Sequence, residues 1–187
     1  METLAVSSVT VIDDVFPNWL LATIQQSISN CKQWEYGRVK SAYGDEYENY
    51  YNCVLWHKNY PEMEDPLKGL SNVMASCFAL ELLPNGPKQL EVLRMNGTTP
   101  ASEQYPHRDC DMIADDTERL KSIVWWPFGS SGDLRFWEHQ VDIVNPSQVV
   151  EYKPNRAVMF DSSIPHAGNP PKDWPMRVSI NSVWKLQ

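Results

Sequence analysis

Apolar positions along this chain change their period about halfway. The first part mixes strand-like and helix-like stretches. The β-branched run in "VTVIDDVF" opens as a short strand, and "FPNWLLATIQQSISNC" then sets Leu21, Ile24, Ile28 and Cys31 along one helical face. "KQWEYGRVK" and "YYNCVLW" predict strands on either side of "SAYGDEYENY", a polar, tyrosine-rich stretch that reads as a solvated loop or a lid. Asp65 before Pro66 is an N-cap followed by proline at the first helical position, which predicts a second helix from that point. Its apolar face runs Leu67, Leu70, Met74, Cys77 and Phe78, and "LLPNGP" ends it.

After Pro87 short apolar runs follow one another, punctuated by Gly, Pro, Asn and Asp. "QLEVLRM", the segment around "YPHRD", "KSIVWW", "DLRFW", "VDIV", "VVEY", "RAVMFD" and "MRVSINSVW" each read as a strand. That many strands in roughly a hundred residues is the count of a jelly roll or small barrel. The expected fold is α+β, one domain over residues 1–187, with a helical N-terminal part to about residue 87 and a β-core from about 88.

Composition narrows the choice of partners. The formal charge of −8 repels phosphate backbones and anionic lipid, so nucleic acid and membrane are poor partners. No segment has the length of a membrane span, and "METLAVSSVTVIDDV" lacks the basic start and apolar core of a signal peptide. Cys31, Cys53, Cys77 and Cys110 show no paired spacing and read as reduced thiols of a cytoplasmic protein. Asn96-Gly-Thr98 is formally a glycosylation sequon, taken as unmodified.

Chemistry enters with "YPHRDCD". A His and an Asp two residues apart are common on surfaces, and alone they read as a solvated loop. If Tyr105 to Asp109 is extended, however, His107 and Asp109 point to one side. Downstream, "PNRAVMFDSSIPHAGNPP" offers a strand, a turn and His166. Two histidines and one carboxylate make the facial triad that binds non-haem Fe(II), with three coordination positions left open for a chelating cosubstrate and oxygen. Arg177 and Ser179 then share a face of the last strand. A guanidinium grips a carboxylate through two parallel hydrogen bonds, and a neighbouring hydroxyl adds a third.

With these residues in place, the chain resembles the Fe(II)/2-oxoglutarate-dependent dioxygenases, in particular their prolyl-4-hydroxylase-like branch. The resemblance covers roughly residues 89–184. The family's His-x-Asp and distant His match His107, Asp109 and His166, and its basic residue after the second His matches Arg177, with Ser179 as in members carrying Arg-x-Ser. "SSGDLRFW" is similar to the family's Gly-Gly-x-Leu strand. Two departures stand out. Many relatives carry Arg-Tyr on the strand before the metal motif, and here that pair is Arg94-Met95. Trp126 lies where other relatives keep a Tyr. Tyr105 or Asn181 is left to supply the missing cosubstrate contact.

The resemblance implies a double-stranded β-helix (jelly roll) with the helices, mostly N-terminal, packed on one sheet. It implies Fe(II) held by His107, Asp109 and His166, and 2-oxoglutarate as cosubstrate on Arg177 and Ser179. Ascorbate is expected to stimulate. The implied reaction is hydroxylation of a C–H bond with release of succinate and CO2. Because Asp109 keeps its carboxylate, no ligand position is vacated for a halide, which favours hydroxylation over halogenation. The expected substrate is a proline or other amino-acid unit, in a peptide or as a small molecule, and Arg94 or Arg135 would read a carboxylate if turned inward. The alternatives are a non-catalytic jelly-roll binding module and a cupin-like metalloenzyme that does not use 2-oxoglutarate. Arg177 separates the latter, which needs no carboxylate anchor there.

Overall fold

The structure is a computed structural model that describes residues 9–40, 47–60, 62, 64–102, 105–112, 120–138 and 144–186. Among them, strands β1 (Thr10–Ile12), β2 (Glu35–Lys40), β3 (Tyr47–His57), β4 (Lys88–Thr98), β5 (Leu120–Trp125), β8 (Ala157–Asp161) and β10 (Arg177–Leu186) build a seven-stranded sheet. Its order is β1-β8-β5-β10-β4-β3-β2. Strands β6 (Leu134–Phe136), β7 (Gln148–Val150) and β9 (His166–Gly168) form a three-stranded sheet ordered β7-β6-β9. All pairings are antiparallel. This is the expected jelly-roll architecture.

The large sheet is buried on both faces near its centre, for two different reasons. One face carries Ile123, Trp125, Ile180, Val178, Leu93, Met95, Cys53 and Leu55, which pack against helices α1 (Asn18–Asn30) and α2 (Leu70–Cys77). Leu20, Ile24 and Ile28 are the buried residues of α1, spaced by one helical turn each. Leu21 and Cys31, expected on that face, are only partly buried beside it. Phe16 sets its ring edge-on to Trp125 at 4.8 Å. It is pinned by Asn155, whose Oδ1 accepts from the Phe16 amide (3.1 Å) and whose Nδ2 donates to its carbonyl (2.8 Å). The other face meets the small sheet through Val124, Trp126, Val158 and Phe160 against Leu134, Phe136 and Val150.

Three sequence expectations need correction. The second helix begins at Leu70, not at Pro66. Lys68 and Gly69 take left-handed φ values of 54° and 93°, so Asp65 caps a turn, its carboxylate accepting from the amides of Leu67 (2.8 Å) and Gly69 (2.7 Å). A π-helical turn, Phe78–Leu82, follows α2. The tyrosine-rich stretch is not wholly loop: Tyr47 onward belongs to β3, paired with β2 from Tyr47↔Lys40 to Asn52↔Glu35, as aromatic strand propensity allows. Residues 41–46 of that stretch, and most of "VDIV", lie outside the described residues.

The third correction concerns the "YPHRD" segment. It is not a strand but a single antiparallel bridge, His107↔His166, followed by a 3₁₀ turn over Asp109–Met112. Among the described residues, no helix is long and apolar enough to cross a membrane.

Candidate active site

The bridge and the turn do what the expected strand was asked to do. His107 and His166 exchange main-chain hydrogen bonds of 3.0 and 2.9 Å, which extends the small sheet by one residue and sets the two rings side by side, centroids 4.6 Å apart. The 3₁₀ turn then brings Asp109 back beneath them. His107 Nε2 lies 3.7 Å from Asp109 Oδ1, and His166 Nε2 lies 3.7 Å from Asp109 Oδ2. One potential ligand atom from each residue lies within 4.8 Å of the others.

Neighbouring groups fix how these side chains face. His107 Nδ1 is 3.1 Å from the Tyr105 carbonyl, and His166 Nδ1 is 3.0 Å from the Ile164 carbonyl. A ring nitrogen held by a carbonyl must carry the proton, which leaves the Nε2 lone pair of each ring for a metal. Asp109 is 2 % exposed. Its Oδ2 accepts from Ser122 Oγ at 2.6 Å, and Ser122 is 2.8 Å from Ser162 Oγ. Burial alone would push the Asp109 carboxyl up. The imidazoles of His166 and His107, the Arg94 guanidinium and the Ser122 hydroxyl hold it below the usual carboxylate range. Its Oδ1 is buried without a hydrogen-bond donor. An orphaned anionic oxygen is costly in an interior, and the donor set of two imidazoles and one carboxylate fits a divalent iron.

Arg177 opens β10 and is buried. Its Nη1 donates to two main-chain carbonyls, Gly132 at 2.7 Å and Asn169 at 2.6 Å, and its Nη2 reaches Thr98 Oγ1 at 3.4 Å. Both Nη1 hydrogens are therefore used, while Nε has no partner. Among the described residues no carboxylate lies within ion-pair distance of this guanidinium. On the edge formed by Nε and Nη2, the fork that receives a carboxylate, the long Thr98 contact is the one hydrogen bond shown. Burial lowers Arg177 to about 10, against the raising effect of Tyr152 and Asp133, so it stays cationic at neutral pH.

Two glycines make room for this fork. A Cβ on Gly168 would collide with the guanidinium, and one on Gly132 would meet the Asn169 carbonyl and Arg177 Nη1. Gly132 also has φ of 103°. Gly168 is two residues beyond His166 on β9, a strand rise of about 6.6 Å. The guanidinium packed on Gly168 is thus set beside the strand that carries His166.

The other predicted residues fall out as follows. Arg177, Ser179 and Asn181 share the face of β10 that looks into the roll, opposite Thr98, Asn96 and Arg94 on β4. Met95 is buried on the helix side of β4. Arg94 faces the triad, its Nη2 3.9 Å from Asp109 Oδ1, whereas Arg135 sets its guanidinium over Trp137 at 5.7 Å. Tyr105 contributes its carbonyl to His107. Trp126 lies in the apolar layer between the sheets, its ring 4.8 Å from that of Tyr152. Cys110 packs with Leu120 and Val183, and Asp111 pairs with Arg108 at 3.0 Å on the surface. Sequence reasoning missed Ser122, Gly168, Gly132 and Tyr152. Of these only Gly168 left a signal, a glycine at ligand parity two residues after a candidate ligand.

No protein-family model and no curated protein sequence matches the chain. Solved structures do. An alpha-ketoglutarate-dependent non-haem epimerase from nogalamycin biosynthesis superposes with a TM-score of 0.68 at 13 % identity, covering 96 % of this chain and 78 % of that one. A prolyl hydroxylase from Trichoplax adhaerens, solved with a hypoxia-inducible-factor peptide, gives 0.62 at 16 %, covering 95 % and 83 %. A prolyl-4-hydroxylase from Pseudomonas putida gives 0.57 at 13 %, covering 97 % and 94 %. The chain therefore has the jelly-roll fold of the 2-oxoglutarate/Fe(II) oxygenases, prolyl hydroxylases among them, and within it a His-Asp-His cluster placed to hold a metal ion.

Proposed function

We propose that the protein is an Fe(II)- and 2-oxoglutarate-dependent dioxygenase that hydroxylates a C–H bond of a proline or other amino-acid unit. His107, Asp109 and His166 hold the metal. Arg177, with Ser179 beside it, receives the distal carboxylate of the cosubstrate on the Nε and Nη2 edge of its fork. Asn181, two residues beyond Ser179 on the same face of β10, and Trp126, in the layer between the sheets, border the cosubstrate in this reading. Bound Fe(II) and 2-oxoglutarate supply the oxidation: one atom of O2 enters the substrate C–H bond and the other enters succinate as CO2 leaves. The chain's own work is positioning and exclusion of water. The carbonyls of Tyr105 and Ile164 orient the imidazoles, Ser122 orients the carboxylate, and Phe136 and Phe160 wall His166 with rings at 6.2 and 4.6 Å.

One observation carries this reading: a buried guanidinium with an unpartnered Nε, packed on Gly168 two residues beyond His166. A binding module needs no such group, and a cupin-like enzyme needs no carboxylate anchor. The test is incubation with Fe(II), ascorbate and 2-oxoglutarate, with amino acids and proline-containing peptides screened for a gain of one oxygen by mass. Succinate formation with an oxygenated product supports the proposal. Iron binding without any 2-oxoglutarate binding favours the cupin-like enzyme, and 2-oxoglutarate binding without turnover across the screen favours the module.

Two smaller effects follow from the supporting residues. Ser122→Ala frees one oxygen of the ligand carboxylate without removing it, so iron affinity measured by competition with a chelator falls about tenfold. Gly168→Ala drives a methyl into the Arg177 guanidinium. It weakens 2-oxoglutarate, titrated calorimetrically into the Mn(II) form, by tenfold or more (about 1.4 kcal/mol), while Mn(II) affinity stays within twofold.

A further inference from the structure

We infer that Asn96 is a positioning residue for the cosubstrate, donating from its amide to an oxygen of 2-oxoglutarate. The inference rests on the proposed function and adds a residue to it. Strands β4 and β10 pair in three successive inward rows: Thr98 with Arg177, Asn96 with Ser179, and Arg94 with Asn181. Rows two residues apart are separated by about 6.6 Å. Arg177 anchors the first row, and the third lies beside the triad, with Arg94 Nη2 3.9 Å from Asp109 Oδ1. A five-carbon dicarboxylate running from the guanidinium to the metal must cross the middle row. There the β4 and β10 side chains are Ser179 and Asn96.

Asn96 is not otherwise accounted for. It sits inside a continuous strand, flanked by Asn52 of β3 on its other side. The Asn52 amide nitrogen is engaged by the Glu35 carbonyl at 3.5 Å. Asn96 Oδ1 is buried with no donor. A buried amide oxygen without a partner costs about 1–3 kcal/mol, a cost with no structural return inside β4. Half a turn about its last side-chain bond exchanges oxygen for nitrogen, and the NH2 group can then donate to an oxygen at either end of the ligand, the two methylenes between them accepting nothing. Met95, the neighbour at which the sequence suggests the missing contact, points to the helices instead. The sequon reading of Asn96 is likewise at odds with an amide turned into the roll.

The experiment titrates 2-oxoglutarate anaerobically into the Mn(II)-loaded protein and its variants, with Mn(II) affinity and melting temperature measured alongside. Asn96→Asp sets a carboxylate against the ligand's own oxygens and should raise the 2-oxoglutarate Kd at least tenfold. Asn96→Thr keeps a donor and a strand-compatible shape, and should stay within about threefold of wild type. Mn(II) affinity should be unchanged in both. If Asn96→Asp melts early, Asn96→Ala replaces it, with a Kd increase of at least threefold expected. A Kd within twofold of wild type for Asn96→Asp or Asn96→Ala, while Arg177→Ala abolishes binding, overturns the role of Asn96 and leaves the proposed function standing. A wild-type protein that binds no 2-oxoglutarate overturns both.

Discussion

Asp109→Ala is expected to abolish the visible charge-transfer band that Fe(II) and 2-oxoglutarate give with the wild-type protein under anaerobic conditions. Asp109 is the one anionic ligand of the proposed triad, and it bridges two imidazoles at 3.7 Å each. Its removal leaves two neutral donors for a dication. Loss of an outer-shell partner costs metal affinity about 10–100-fold, so loss of the ligand itself should exceed 100-fold. Some stability should be lost too. The alanine removes a carboxylate that its neighbours hold ionised and that accepts from Ser122, so the fold loses stability as well. The loss of metal binding should therefore be read on protein shown to be folded, with the melting temperature measured alongside. A band that survives in the variant would remove Asp109 from the ligand set.

Arg177→Ala is the second large effect. Truncating one partner of a buried, hydrogen-bonded charge pair costs about 2–5 kcal/mol, or roughly 30- to several-thousand-fold in Kd. The 2-oxoglutarate Kd should rise by that factor while iron remains bound. Here stability should fall too, because the carbonyls of Gly132 and Asn169 lose their donor. Each buried acceptor left unsatisfied costs about 1–3 kcal/mol. The Kd measured on folded Mn(II)-loaded protein separates the two consequences. Arg177→Lys should recover charge but not affinity, since a lysine cannot offer two parallel donors. An unchanged Kd in Arg177→Ala would contradict the anchor role.

Much of this was readable before the structure, and what was not has specific causes. The strands after Pro87 were legible because short apolar runs between turn residues leave few alternatives. His107, Asp109 and His166, named together from the sequence, do lie together, but for a different reason. A 3₁₀ turn, not strand alternation, brings Asp109 to the imidazoles. The direction in which β4 faces was hidden, because "VLRMNGT" alternates between a buried face and a half-buried one that carries Arg94 and Asn96. Only its register with β10 shows that Arg94 and Asn96 look inward and Met95 does not. Ser122 was invisible for a similar reason. It is a small polar residue in a run buried almost throughout, and its partner Asp109 is contributed by a separate segment. α2 starts late because the Asp65 carboxylate first closes a turn through Leu67 and Gly69 and only then reaches Ser71 in the first turn of the helix.

The most direct measurement is a crystal of the protein grown or soaked anaerobically with Mn(II) and 2-oxoglutarate, with the metal located by its anomalous signal. The expected result is one strong peak bonded to Nε2 of His107, Nε2 of His166 and the carboxylate of Asp109. The ligand should chelate that ion, with its far carboxylate on Nε and Nη2 of Arg177 at about 2.8 Å. A metal bound elsewhere, or a ligand carboxylate turned away from Arg177, would contradict it.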